Sequence, residues 1–102
     1  MLFRSYLIFA TDTQSILFRN RIGDIYRTLG EYDRAELQYK EIINDYPLDA
    51  FAYISLSTML LMDMKDIEGA VEYYEEAKRL NGIDVNSNFI SLKSKLQNLG
   101  VI

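Results

Sequence analysis

The 102-residue chain contains no cysteine and no histidine. The first absence removes disulfides and thiolate metal sites. It fits a reducing compartment, and a cytoplasmic location is the expectation that follows. The second removes the commonest general base and the commonest metal ligand. Positive charge is also short, with 11 Lys and Arg against 15 Asp and Glu, a formal net charge of −4. Non-specific binding to nucleic acid or to an anionic membrane needs a basic footprint that this composition does not supply. No apolar run is long enough to span a bilayer. The apolar opening stretch 1–10 is interrupted at Arg4, so it reads as a packed or terminal segment rather than a secretory signal or an anchor. Pro47 is the only proline, the five glycines are scattered, and no linker or low-complexity run divides the chain. One domain is expected.

What is present is amphipathic helix. Hydrophobic residues make up 49% of the chain, enough for a core. Ile22, Ile25, Tyr26 and Leu29 form one stripe, and Tyr32, Ala35, Tyr39, Ile42 and Tyr46 a second. Tyr53, Leu56 and Leu60 follow, then Ile67, Ala70, Tyr74 and Ala77, and last Phe89, Leu92, Leu96 and Leu99. Steps of three and four place each set on one helical face. The stripes predict helices near 16–29, 32–46, 50–62, 67–80 and 85–99, an all-α fold. Exposed i,i+4 pairs are expected between Glu36 and Lys40 and between Glu75 and Arg79.

The stripes repeat. Gly30, Tyr32, Ala35, Tyr39 and Ile42 return as Lys65, Ile67, Ala70, Tyr74 and Ala77, 35 residues later. Tyr26 to Leu60 is a step of only 34, so one residue is inserted in the turn before Ile67, where glycine is missing and Asp63 is the candidate left-handed residue. Ser15, Asp49 and Asp84, at steps of 34 and 35, are each a suitable N-cap before an apolar helix. Gly30 suits a left-handed helix terminus, and Pro47 ends the second helix. A period in the mid-thirties with helical spacing inside each unit defines a helix-hairpin solenoid.

Chemistry has little to work with. Glu68, Glu72, Glu75 and Glu76 read as a solvated helix face rather than an acid–base pair or metal site. Asp63 and Asp66 fall short of a calcium loop. No glycine loop cradles a phosphate, and no base accompanies the serines. Neither catalysis, a cofactor nor a metal is expected.

At Ile22-Gly23, Tyr26, Gly30, Tyr32, Ala35, Tyr39 and Pro47, the chain resembles the tetratricopeptide repeat family. The second copy, at Tyr53, Leu56-Ser57, Leu60, Ala70, Tyr74 and Ala77, is looser. The resemblance implies antiparallel helix hairpins stacked as a short right-handed solenoid. Segment 16–49 is then the first repeat, 50–84 the second, and 85–99 a capping helix whose polar side faces water. Segment 1–15 is expected to pack as a further helix over helix 16–29, or to leave that face for a second copy of the chain. In packing terms, Gly23, Ala35, Ala70 and Ala77 allow close helix approach beside Tyr26, Tyr39 and Tyr74.

In such arrays the first helices of successive repeats line a concave groove. Spacing assigns Leu17, Asn20, Asp24 and Arg27 to it from the first repeat, and Phe51, Ile54, Thr58 and Leu61 from the second. Some family members clamp a peptide carboxyl terminus with Lys and Asn four residues apart. Asn20 and Asp24 stand there in this chain, which disfavours that ligand. The expected function is protein–protein interaction, as an adaptor or assembly scaffold that binds a peptide or helical segment of another protein. A homodimer formed through Leu2, Phe3, Tyr6, Leu7 and Phe9 is one alternative, and a regulatory domain of a larger protein is another.

Overall fold

A computed structural model describes residues 2–80 and 87–102, with side chains placed for 14–80 and 88–102. Among the described residues five helices follow one another, namely α1 (Leu2–Thr28), α2 (Tyr32–Asp45), α3 (Ala50–Met62), α4 (Ile67–Leu80) and α5 (Ser87–Asn98). The described residues contain no strand. α1 packs on α2 and α3 on α4 as hairpins, α2 joins the two hairpins through α3, and α5 lies against α3 and α4.

The first hairpin turns in three residues. Glu31 N–H donates to Tyr26 O at 2.9 Å and Gly30 N–H to Arg27 O at 3.0 Å, with Gly30 at φ 78°. This glycine-terminated pattern satisfies the last carbonyls of α1. The second hairpin needs four residues, 63–66, in agreement with the inserted position. The left-handed residue there is Lys65, at φ 58°, and not Asp63, which has right-handed helical geometry at the end of α3. Asp63 N–H donates to Met59 O at 2.9 Å just as Leu29 N–H donates to Ile25 O at 3.0 Å, so the two helices end alike and the extra residue delays the reversal to Lys65.

Asp49 caps α3, its carboxylate accepting from Phe51 N–H at 2.9 Å. Asp66 caps α4 by accepting from Gly69 N–H at 2.9 Å, so its part in the turn is structural. The expected cap at Ser15 is not formed, because α1 passes straight through that position. No proline or glycine interrupts the chain before Gly23, and serine inside a helix is only mildly unfavourable. A continuous α1 cannot fold its own first half back over 16–29, which corrects the expectation of a separate covering helix. The side chains of Leu2, Phe3, Tyr6, Leu7 and Phe9 lie outside the described residues, as do Gly82 and the expected cap Asp84.

α3 is the centre of the molecule. Ala52, Tyr53, Ile54, Leu56, Met59, Leu60 and Leu61 are all buried, a much wider belt than the stripe Tyr53, Leu56, Leu60. A helix apolar on nearly every side is one enclosed by neighbours. Ala35, Tyr39 and Ile42 of α2, Ala70, Tyr74 and Ala77 of α4, and Phe89, Leu92 and Leu96 of α5 complete the core. The Tyr74 and Phe89 rings stack at 5.1 Å and 7°, which anchors α5 to the second hairpin. Ser94, Gln97 and Asn98 of α5 face solvent, as a closing helix requires.

On the surface, Lys40 pairs with Glu36 at 3.0 Å as expected. Arg79 pairs with Glu76, three residues away at 2.8 Å, instead of with Glu75. Both spacings bring helix side chains within reach, and here the shorter one is used.

Candidate partner-binding groove

α1, α3 and α5 enclose a groove of about 510 Å³. Six of the eight residues assigned to a concave face line it, namely Asn20, Asp24 and Arg27 from α1 and Phe51, Ile54 and Thr58 from α3. Leu17 stands outside this lining and is half exposed. Leu61 is buried and lines a separate apolar recess with Met62, Ile67 and Leu99.

The third wall lay beyond the sequence reading. Asn88, Ser91, Leu92 and Lys95 of α5 face the groove, with Asp63 at one end. Asn88, Ser91 and Lys95 step by three and four, a polar stripe beside the apolar Phe89–Leu92–Leu96 stripe. That spacing was the available signal, but polar stripes on a closing helix are ordinarily just solvated.

The walls differ in character. Phe51, Ile54 and Leu92 supply apolar surface, with Ile54 and Leu92 almost wholly buried and Phe51 half-buried. On the α1 side, the Tyr39 hydroxyl reaches across from α2 and donates to Asp24 Oδ1. Burial first, and then the hydrogen bond and negative charge of Asp24, hold this phenol well above its ordinary pKa, while Arg27 pulls the other way. The Arg27 Nε donates to Asp63 Oδ2, bridging the end of α3 to α1 with both side chains largely covered. The Asn20 side chain is 3% exposed, and its Oδ1 accepts no hydrogen bond. On the α5 side, Lys95 Nζ donates to Ser91 Oγ at 2.8 Å.

Chemically, the groove offers shape, apolar surface, hydrogen-bonding groups and charges of both signs. Among the described residues no three His, Cys, Asp or Glu side chains gather in a metal-binding arrangement. Glu72 and Glu75 are exposed on α4 and Glu76 is engaged by Arg79, so the acidic run is a solvated face. No described helix is long and apolar enough to cross a membrane.

A second surface lies on the outer side of α1. Phe18 is 67%, Ile25 54% and Leu29 65% exposed. The stripe Ile22, Ile25, Tyr26, Leu29 is therefore split, with Ile22 and Tyr26 half-buried and the other two facing out.

Two antiparallel helix hairpins and a closing helix, with the first helix of each unit on a shared groove, define a helical-repeat domain. The tetratricopeptide repeat model matches residues 18–44 and 52–84, and the chain belongs to that family. Repeats of this kind generally mediate protein–protein interaction. No curated protein and no solved structure matches the chain.

Proposed function

We propose that the chain is a protein-interaction module that binds a segment of another protein in the groove between α1, α3 and α5, with 16–49 and 50–84 acting as its two repeats and 85–99 closing the array. The observation that carries this reading is the convergence of three non-adjacent helices on one groove lined by both apolar and polar side chains. That composition suits an amphipathic or extended peptide, whose apolar side chains meet Phe51 while its polar groups meet Asp24, Arg27, Thr58 and Ser91. The function is adaptor or assembly work, with recognition achieved by complementarity on a surface formed before the partner arrives.

The test is Phe51→Asp. Phe51 is only half-buried, so a charge there should leave the helical circular dichroism spectrum intact and abolish capture of the partner. Retained binding by the folded variant removes the groove from the account. Ile54→Asp is the less useful change, since Ile54 is buried and its replacement threatens the fold.

A second reading, self-association, is favoured by the outer face of α1 with Phe18, Ile25 and Leu29 exposed. It predicts a concentration-dependent dimer that Phe18→Asp disrupts. A constant monomer mass by light scattering across a wide concentration range excludes it.

A further inference from the structure

We propose that the apolar recess between the last turn of α3, the first turn of α4 and the last turn of α5 is a second docking site, for a segment of a partner protein that carries an aliphatic side chain flanked by aspartate or glutamate. It lies apart from the groove and does not depend on it.

The recess holds about 410 Å³. Leu61, Met62, Ile67 and Leu99 supply its apolar surface, and Lys65, Lys95 and Asn98 complete the lining. Leu61 is buried, but Met62 is 41%, Ile67 38% and Leu99 53% exposed. Singly scattered apolar side chains are ordinary on a surface, whereas several gathered around one recess mark a binding surface. The lining contains no aromatic ring, and its volume admits a leucine or methionine side chain with its neighbours.

Charge names the flanking groups. Both charged residues of the lining are lysines, and neither forms an ion pair among the described residues. Lys65 is exposed. Lys95 is half-buried and donates to the neutral Ser91 Oγ at 2.8 Å, which leaves two ammonium protons for a ligand. The carboxylates nearest in sequence do not neutralise the recess. Asp63 pairs with Arg27, Asp66 accepts from Gly69 N–H, and Glu68 stands outside the lining. In a chain of net charge −4, a recess with two cations and no anion is complementary to an acidic segment and repels a basic one.

The turn backbone adds an independent observation. Lys65 has φ 58°, where the matching residue of the first turn is Gly30 at φ 78°. Glycine would be the unstrained choice there. Non-glycine residues held in this conformation cluster at ligand clamps, and here the strained residue places a cation on the recess.

The probe is a set of three synthetic peptides with a common frame around one central leucine, flanked on both sides by Glu, Gln or Lys and titrated by fluorescence anisotropy. The Glu peptide should bind roughly tenfold more tightly than the Lys peptide, as two partly exposed ion pairs allow. Added salt should erode that preference. Lys65→Gln and Lys95→Gln should each reduce it several-fold. Lys78→Gln, on exposed α4 outside the recess, should leave it unchanged, and an equal loss there would reduce the effect to net charge and overturn the site. Leu99→Ser, at a half-exposed position, should weaken all three peptides. Equal affinity for the three peptides, a preference for Lys, or no measurable binding overturns the proposal. Phe51→Ala should leave all three affinities unchanged, because the groove is a different surface. Loss of binding in that variant would place the peptide in the groove, which keeps the groove reading and removes this one. A dimer of the chain alone that Leu99→Ser dissolves would make a second copy the occupant and likewise overturn it.

Discussion

A Cβ added at Gly23 would lie 2.6 Å from Cε1 of Tyr39, closer than packed atoms come, while the hydroxyl of the same ring reaches Asp24, the next residue of α1. The tyrosine therefore lies across the glycine and hooks onto its neighbour, which locks α2 to α1. The second hairpin meets the same positions differently. Ser57 stands where Gly23 does, its hydroxyl donating to Ala70 O at 2.5 Å, and the Tyr74 ring stacks on Phe89.

Gly23→Ala tests the first arrangement. On an isolated helix this change gains about 1 kcal/mol in propensity. Here the methyl displaces a fully buried ring, and overpacking of about 1–3 kcal/mol should dominate. Thermal unfolding should fall, and a Tyr39→Leu partner mutation should recover more than additivity allows. A raised Tm for Gly23→Ala would falsify the close approach.

The Tyr39 phenol gives a pH signature. Its folded pKa is raised above the ordinary 10.0, so the native state holds the proton more tightly than the unfolded chain does. The associated stabilisation is whole below pH 10 and is lost as the pH climbs toward the folded value. Stability should therefore fall above pH 10, by up to about 1.4 kcal/mol per pH unit. Tyr39→Phe lacks this loss, so urea unfolding should show its deficit relative to wild type narrowing in alkali. Parallel curves would contradict the burial of the hydroxyl beside Asp24. Tyr53, also raised by burial, contributes equally to both proteins.

Lys65 holds a backbone conformation that costs an L-residue about 1–2 kcal/mol. Lys65→Gly relieves this against a higher unfolded-chain entropy, for a net gain of about 0.5–1 kcal/mol. A rise in Tm is expected, and the matching change Gly30→Ala in the first turn should lower it. A drop for Lys65→Gly would mean that the second turn adopts another geometry in solution.

Asn20→Leu tests the buried acceptor. Removing an unpartnered buried oxygen should leave stability unchanged or raise it by about 1 kcal/mol. A marked fall in Tm would mean that the Asn20 side chain makes contacts the fold needs.

Much of this fold was legible because the packing residues repeat. Gly30, Asp49 and Pro47 punctuate the helices where local backbone chemistry demands, and the missing turn glycine announced the longer second turn. What misled was a cap signal without a helix break: Ser15 suits an N-cap, but nothing before it stops α1. Placing the left-handed residue at Asp63 also failed, because α3 keeps its last backbone hydrogen bond there and the reversal falls on Lys65. Six groove residues followed from helical spacing along α1 and α3. The α5 wall did not, because its polar stripe looks the same whether it faces water or a groove. The orphan oxygen of Asn20 could not be read at all, since a missing partner exists only once every neighbour is placed.

The most direct measurement is a nitrogen–proton correlation spectrum of the labelled chain during titration with an amphipathic Leu- and Phe-containing peptide. The side-chain amide of Asn20 and the backbone amides of Asp24, Phe51, Thr58 and Lys95 should shift together and saturate at one affinity. Shifts confined to Phe18, Ile25 and Leu29, with the groove unmoved, would place binding on the outer face of α1 and contradict the account.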